Sequence, residues 1–191
     1  LHLPNTFILV FSCILIFSHN LLDSIHFENN ILWYLLHERS YFHLSVRPTL
    51  FSAYALIPWV AVMALGYYFG NYYDNSFGAE TRKMILTRVG ISAIIIFLIL
   101  KSINQYGDPV SWTSFDDVSK TLMSFLNITK YPPSLQFLLI TLGVSILFLA
   151  WSEKLKGKIV DFFCVFGRVP FFYYILHIYL IHLIALVAAE F

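Results

Sequence analysis

The chain has 191 residues, of which 59% are apolar, 18% aromatic and only 12% charged, and its formal net charge is +1. A soluble domain has about 25% charged residues, so this composition excludes a soluble globular fold and predicts a membrane protein. The near-neutral charge excludes a nucleic-acid-binding protein, and the two cysteines, Cys13 and Cys164, are too few for a disulfide framework or a zinc site.

Five stretches are long and apolar enough to be transmembrane helices, which need about 20 mostly apolar residues. In chain order they are residues 5–25, 50–71, 84–103, 134–151 and 170–189. The sequence therefore predicts an all-α fold, a polytopic helical membrane bundle of about five transmembrane helices. Two shorter segments, residues 115–127 and 158–167, are predicted to be short helical elements at the membrane surface, the second being interfacial or re-entrant.

The second stretch has two features that affect helix packing. Pro58 lies inside it and predicts a kink, because proline removes a backbone hydrogen bond. Gly66 and Gly70 are four residues apart, a spacing that allows close contact between membrane helices.

Basic residues alternate between the loops that join the five stretches. The loop after the second stretch has Arg82 and Lys83, and the loop after the fourth has three lysines and Arg168. Cytoplasmic loops are enriched in Lys and Arg, so these two loops are predicted to face the cytoplasm. The chain is therefore expected to be a multi-pass integral membrane protein whose C-terminus lies outside.

Polar side chains concentrate near the end of the first stretch. At 100° per residue, His19, Asp23 and His26 would lie within about 60° of one another on a helix. Ionisable groups are expensive in hydrocarbon, so His19 and Asp23 are candidate catalytic residues, and together with Asn20 they are candidate substrate contacts. The alternative is that these groups cap the helix or line a contact between helices. No metal is expected, because one helix offers at most three ligands.

The fifth stretch has a second candidate cluster. Tyr173 and Tyr174 come one turn before His177, so the three side chains share a helix face. If a cavity opens at the cytoplasmic end, these side chains and Arg168 would line it, which makes His177 a further catalytic candidate. The alternative is a neutral His177 that bonds to a tyrosine or to a serine of another helix.

Four motifs occur in the same order as in one family of membrane proteins. They are HNLLD at 19–23, IPWVAVMALGYYFG at 57–70, KYPPSLQFLLITLG at 130–143 and FGRVPFFYYILHIYLIH at 166–182. In these motifs the chain resembles the bacterial membrane proteins that are similar to heparan-α-glucosaminide N-acetyltransferase. By that resemblance, residues 1–191 are expected to be the C-terminal part of a transmembrane acyltransferase-like domain whose N-terminal part is missing.

The resemblance implies an enzyme that passes an acetyl group from cytoplasmic acetyl-CoA to an amino sugar or glycan on the far side of the membrane. The family's catalytic histidine belongs to the N-terminal part, so the resemblance assigns no catalytic histidine here, and the fragment is expected to be incomplete for catalysis. For acetyl-CoA as co-substrate, the candidate contacts are Arg168, Tyr174 and His177. Arg168 adjoins the start of the last stretch, where a helix N-terminus and a guanidinium both suit phosphate.

Two other functions remain open. A transporter or flippase for a small or glycan substrate would also use buried His and Asp side chains and a proline-broken span. The other alternative is a non-catalytic membrane subunit. The expected partners are the lipid bilayer, a sugar or glycan acceptor and a second copy of the chain in a homo-oligomer, and the expected location is the bacterial inner membrane.

Overall fold

The computed structural model describes residues 3–43, 49–52 and 54–189. Its elements in chain order are α1 (Asn5–Ser18), a 3₁₀ turn (His19–Leu22), α2 (Ile31–Leu36), β1 (Tyr41–His43), β2 (Thr49–Phe51), α3 (Leu56–Phe69), a second 3₁₀ turn (Gly70–Tyr73), α4 (Ala79–Ile103), α5 (Val118–Leu126), α6 (Leu135–Ser152), α7 (Lys158–Arg168) and α8 (Pro170–Ala189). The chain divides into two compact units, Leu1–Ala150 and Trp151–Phe191.

Among the described residues, four helices are long and apolar enough to cross a membrane. They are Asn5–Leu22, Ala79–Ile103, Leu135–Ser152 and Pro170–Ala189. They correspond to the first, third, fourth and fifth predicted stretches, and the last of them has the predicted bounds at both ends. The predicted helical membrane bundle is confirmed, and the only strands in the described residues are the short pair β1 and β2. The protein is membrane-embedded.

The second predicted stretch, residues 50–71, is wrong in its first part. Thr49–Phe51 form β2, which pairs antiparallel with β1, and α3 begins only at Leu56. Pro58 therefore lies in the first turn of α3, where a missing N–H removes no intrahelical bond, so the reason for a mid-helix kink does not apply. At 1.5 Å per residue, the 14 residues of α3 span about 21 Å, less than the hydrocarbon thickness of about 30 Å.

The first unit is an up-and-down bundle of α1, α3, α4 and α6. One cluster of buried side chains takes a member from each helix: Ile16, Ala61, Phe97 and Leu138. These residues come late in α1 and α4 but early in α3 and α6, so successive helices run in opposite directions. At the other end of the bundle, Asn5 of α1 donates to Asn71, just after α3, across 3.4 Å.

Helices α4 and α6 approach each other closely at two glycines. A Cβ added to Gly90 would lie 2.7 Å from Leu147 Cγ and 2.9 Å from Gly143 O, and a Cβ on Gly143 would lie 3.2 Å from Gly90 O. In contrast, a Cβ at Gly66 or Gly70 would meet nothing within 4 Å. Within the described part of the chain, the close contact predicted for Gly66 and Gly70 is therefore wrong. The small residues that allow two helices to approach closely are Gly90 of α4 and Gly143 of α6.

The two short helices predicted between spans are both present as α5 and α7. Asp117 begins α5 by accepting a hydrogen bond from the Ser119 backbone N–H at 2.8 Å, an ordinary N-cap. In the second unit, α7 meets α8 through the rings of Phe166 and Tyr173, whose centroids are 5.3 Å apart. Neither α7 nor α8 has a buried residue among those described.

Candidate functional site

The predicted polar face of the first span does not continue as an α-helix. Helix α1 ends at Ser18, and His19–Leu22 form a 3₁₀ turn, so the expected common face with His26 is wrong. The His26 side chain is instead 67% exposed, and its Nδ1 lies 3.4 Å from Glu38 Oε1. The tighter turn brings His19, Asn20 and Asp23 to the end of α1, where they meet the loops before α3 and α6.

His19 joins the end of α1 to the segment that precedes α6. Its ring is buried, with Nδ1 2.8 Å from the Ile16 carbonyl oxygen and Nε2 3.0 Å from the Pro133 carbonyl oxygen. Both ring nitrogens therefore lie against backbone acceptors. In this arrangement, His19 holds two chain segments together, in keeping with the alternative that these groups line a contact between helices.

Asn20 connects Asp23 to the first residue of α6. Its side-chain amide donates to Asp23 Oδ2 at 2.7 Å, and its Oδ1 accepts the backbone N–H of Leu135 at 2.8 Å. The N–H groups of a helix's first turn have no partner within the helix, so Asn20 satisfies one of them for α6. The position of Asp23 is thereby linked to the start of a membrane span.

The second partner of Asp23 is His37, directly after α2. His37 Nε2 lies 3.0 Å from Asp23 Oδ1, and since an ionised carboxylate can only accept, Nε2 is the donor. His37 is 3% exposed, and its other nitrogen, Nδ1, is buried and has no hydrogen-bond partner within the described part of the chain. A buried unpaired polar atom costs about 1–3 kcal/mol, and such an atom calls for an explanation.

His37 is not among the candidate residues predicted from the sequence. The residue lies outside the predicted spans, 14 positions after Asp23. The one local signal is a short apolar run, residues 31–36, that ends in the polar segment His37-Glu38-Arg39. That signal marks the end of a helix, but it does not identify Asp23 as the partner.

Asp23 is held as a carboxylate by these neighbours. Partial burial opposes its ionisation, but hydrogen bonds from His37 and Asn20, together with the charges of His37 and His19, outweigh that effect and lower the pKa of Asp23 below its usual value of 3.8. Its side chain is 26% exposed. Asp23 therefore presents a negative charge at the surface of the bundle.

A second carboxylate, Asp108, organises the facing loop. Its two oxygens accept from the backbone N–H and hydroxyl of Thr129, both at 2.9 Å, and from the hydroxyl of Ser134 at 2.8 Å. Ser134 Oγ in turn accepts the Phe137 backbone N–H in the first turn of α6, at 3.1 Å. Asp108 thus fixes the loop after α4 against the start of α6.

Asp23 and Asp108 both line one groove of about 320 Å³, here called the polar groove. Its polar lining comes from Asn20, Asp23, Ser24, Gln105, Tyr106 and Asp108. Tyr106 donates its hydroxyl to the Phe17 carbonyl oxygen, and burial, with the nearby charge of Asp23, raises the pKa of this phenol. Carboxylates, amides and a phenol in one groove suit a ligand with hydroxyl groups or an ammonium group.

A buried lysine joins the end of α4 to the loops around α5. Lys101, in the last turn of α4, is 1% exposed, and its Nζ donates to the Asn127 carbonyl oxygen at 2.9 Å. Its own carbonyl oxygen accepts the indole N–H of Trp112 at 2.7 Å. These bonds connect the end of α4 to the loops on both sides of α5.

The residues predicted to hold acetyl-CoA lie in the second unit. Tyr173 and Tyr174 contact the ring of His177 at centroid distances of 5.5 and 5.4 Å, so the expected shared face is present. Arg168 is the last residue of α7, so it lies at a negative helix C-terminus and two residues before the first residue of α8. An exposed arginine and exposed rings on a helix without buried residues do not by themselves form a cradle for a nucleotide.

Comparison of the chain with protein-family models, with curated proteins and with solved structures finds no match.

Proposed function

We propose that the chain is part of a membrane-bound acyltransferase that acetylates an amino group or a hydroxyl group of a sugar or glycan held in the polar groove. The observation that carries the proposal is that Asp23, which lines the groove, is paired with the buried His37, whose Nδ1 has no hydrogen-bond partner among the described residues. The resemblance of four motifs to the acetyltransferase family supports the same reaction.

The groove lining fits the proposed acceptor. Sugars present many hydroxyl groups, which donate to carboxylates such as Asp23 and Asp108 and accept from side-chain amides such as Gln105. An amino sugar adds a cation, and cations are attracted to ionised carboxylates. The acceptor would therefore be oriented by charge and by hydrogen bonds at the end of the membrane spans.

The Asp23–His37 pair would supply the base for the transfer. Asp23 lines the groove and accepts the Nε2–H of His37, whose Nδ1 is buried, so the acceptor would meet the Asp23 carboxylate and the pair would take up one proton there. The acceptor loses its N–H or O–H proton to the pair and bonds to the acyl carbonyl carbon. The carbon–sulfur bond of the thioester breaks, and the thiolate leaves and takes a proton from water.

The proposed arrangement places donor and acceptor on opposite sides of the membrane. Arg82, Lys83 and the basic residues around α7 support a cytoplasmic position for their loops. The polar groove lies at the opposite end of the bundle from Arg82, and would face outward from the bacterial inner membrane. Acetyl-CoA would enter from the cytoplasm, with Arg168, Tyr174 and His177 as its proposed contacts and with no part in the chemical step. Its thioester would reach the acceptor at the groove by way of the membrane interior.

The test is an acetyl-transfer assay on the purified full-length protein, with acetyl-CoA as donor and a glucosamine-bearing oligosaccharide as acceptor. His37→Gln should lower kcat by about 10²–10⁴-fold, the range of general acid–base catalysis. His26→Gln is the matched control, because that histidine is exposed and lies near the same loop. Equal kcat for the His37→Gln variant and the wild type would contradict the proposal.

A transporter or flippase is the second candidate, because a pair that can hold a proton beside a groove also suits proton-coupled transport. Proton-driven uptake of the sugar by vesicles that contain the protein, without acetyl transfer, would favour it. If the protein shows no acetyl transfer and no uptake, that result would favour the non-catalytic subunit.

A further inference from the structure

A second groove lies at the opposite end of the bundle from the polar groove. It has a volume of about 300 Å³ and runs between α1, α3, α4 and α6, and it is here called the apolar groove. One side is a stripe at helical spacing on α3, formed by Val62, Leu65, Gly66 and Phe69. Leu86 of α4 and Leu142 of α6 form part of the facing walls.

Gly66 keeps this groove open. A Cβ at this position would meet nothing within 4 Å, so the absent side chain leaves free space rather than a helix contact. Gly70, one turn later, is equally uncrowded but does not line the groove. The two glycines therefore differ in one respect that can be tested.

The size of the groove selects the kind of occupant. A helix at least 10 Å in diameter would fill about 300 Å³ within roughly 4 Å of its length, less than one turn. A protein helix is therefore too wide to enter more than marginally. A single hydrocarbon chain is narrow enough, and three of the four helices that form the walls are membrane spans, α1, α4 and α6.

Positive charge lies at one end of the groove. Arg82 is one turn before Leu86 on the same face of α4; it is 9% exposed and donates to the carbonyl oxygens of the groove residue Tyr72 at 3.0 Å and of Phe77 at 3.4 Å. Its guanidinium carbon is 4.9 Å from the centroid of the Tyr73 ring. Lys83 and Arg88 add further positive charge to the first half of α4, against one acidic residue, Glu80. An anionic headgroup complements this end.

We propose that the apolar groove binds one acyl chain of an anionic glycerophospholipid of the surrounding bilayer, with the lipid phosphate at the end of the groove where the basic first turns of α4 lie. This site is independent of the proposed catalysis, because its residues lie at the other end of the bundle. The lipid would fill the space left by Gly66 and stabilise the contact of α3 with α4 and α6.

The test uses the full-length protein in lipid nanodiscs that contain phosphatidylglycerol with a diazirine in one acyl chain. After photolysis, mass spectrometry maps the labelled peptides. In the wild type and in Gly70→Leu, label should appear on the groove residues of α3 and α6. Gly66→Leu, whose side chain occupies the groove, should reduce that label several-fold, and both substitutions raise helix propensity, so loss of folding is not the expected cause.

Two results would overturn the proposal. Groove labelling that is absent in the wild type would mean that another part of the protein covers the groove, and labelling that is unchanged in Gly66→Leu would exclude binding in the groove. The same experiment with a phosphatidylcholine probe should give several-fold less label. Equal labelling by the two probes would contradict the anionic headgroup.

Discussion

Asp23 has a different neighbour on each carboxylate oxygen, and each neighbour anchors a different segment. His37 ties it to the end of α2, and Asn20 ties it to the start of α6. Hydrogen bonds to charged groups contribute about 1.5–3 kcal/mol each, so this carboxylate should affect stability as well as any chemistry in the groove.

Asp23→Asn should lower the free energy of unfolding by about 1–2 kcal/mol at neutral pH. Because the pKa of Asp23 is below its usual 3.8 in the folded protein, this stabilisation is present above that value and is lost as the pH falls through the folded pKa. The wild-type and Asp23→Asn proteins should therefore converge in stability at acid pH, as measured by thermal unfolding in detergent. Asp74→Asn, at an exposed aspartate, is the control; a difference that persists at acid pH would contradict this account.

At the scale of elements, the crossing of α4 and α6 depends on two small residues. Gly143→Leu should destabilise the bundle by about 1–3 kcal/mol, the usual cost of overpacking, because the added atoms would collide with Ala93, Ile94 and the Gly90 backbone. Gly70→Leu should not destabilise it, since the space around Gly70 is open. Unfolding by titration with a denaturing detergent would separate the two, and equal stability of both variants would contradict a close crossing.

At the scale of the whole molecule, the antiparallel bundle places the loops before and after α4 at opposite ends. We expect the loop before α4 to lie in the cytoplasm and the loop after it outside. In a protein with Cys13 and Cys164 replaced by alanine, a membrane-impermeant maleimide should label Ser114→Cys in intact cells. Asn75→Cys should react only after the membrane is opened. The reverse pattern would overturn the orientation.

The sequence predicts most of the fold because the four qualifying spans are continuous apolar runs, and α8 has its predicted bounds because Pro170 begins it. The start of α3 could not be predicted, because β2 depends on pairing with β1, a separate segment of the chain. In the site, Asn20 and Asp23 line the polar groove, although the helical face that first indicated them ends at Ser18. His37 depends on a contact between separate segments, which residue spacing does not reveal.

The shortness of α3 also has a consequence for biogenesis. A 14-residue helix offers the lipid less hydrophobic length than a bilayer requires, so we expect α3 not to partition stably as an isolated segment when it leaves the translocon. It packs along α1 and is followed by the long helix α4, and both of these are apolar enough to cross alone. Membrane integration of α3 should therefore be cooperative, with the neighbouring helices retained beside the insertion channel until the three can enter together.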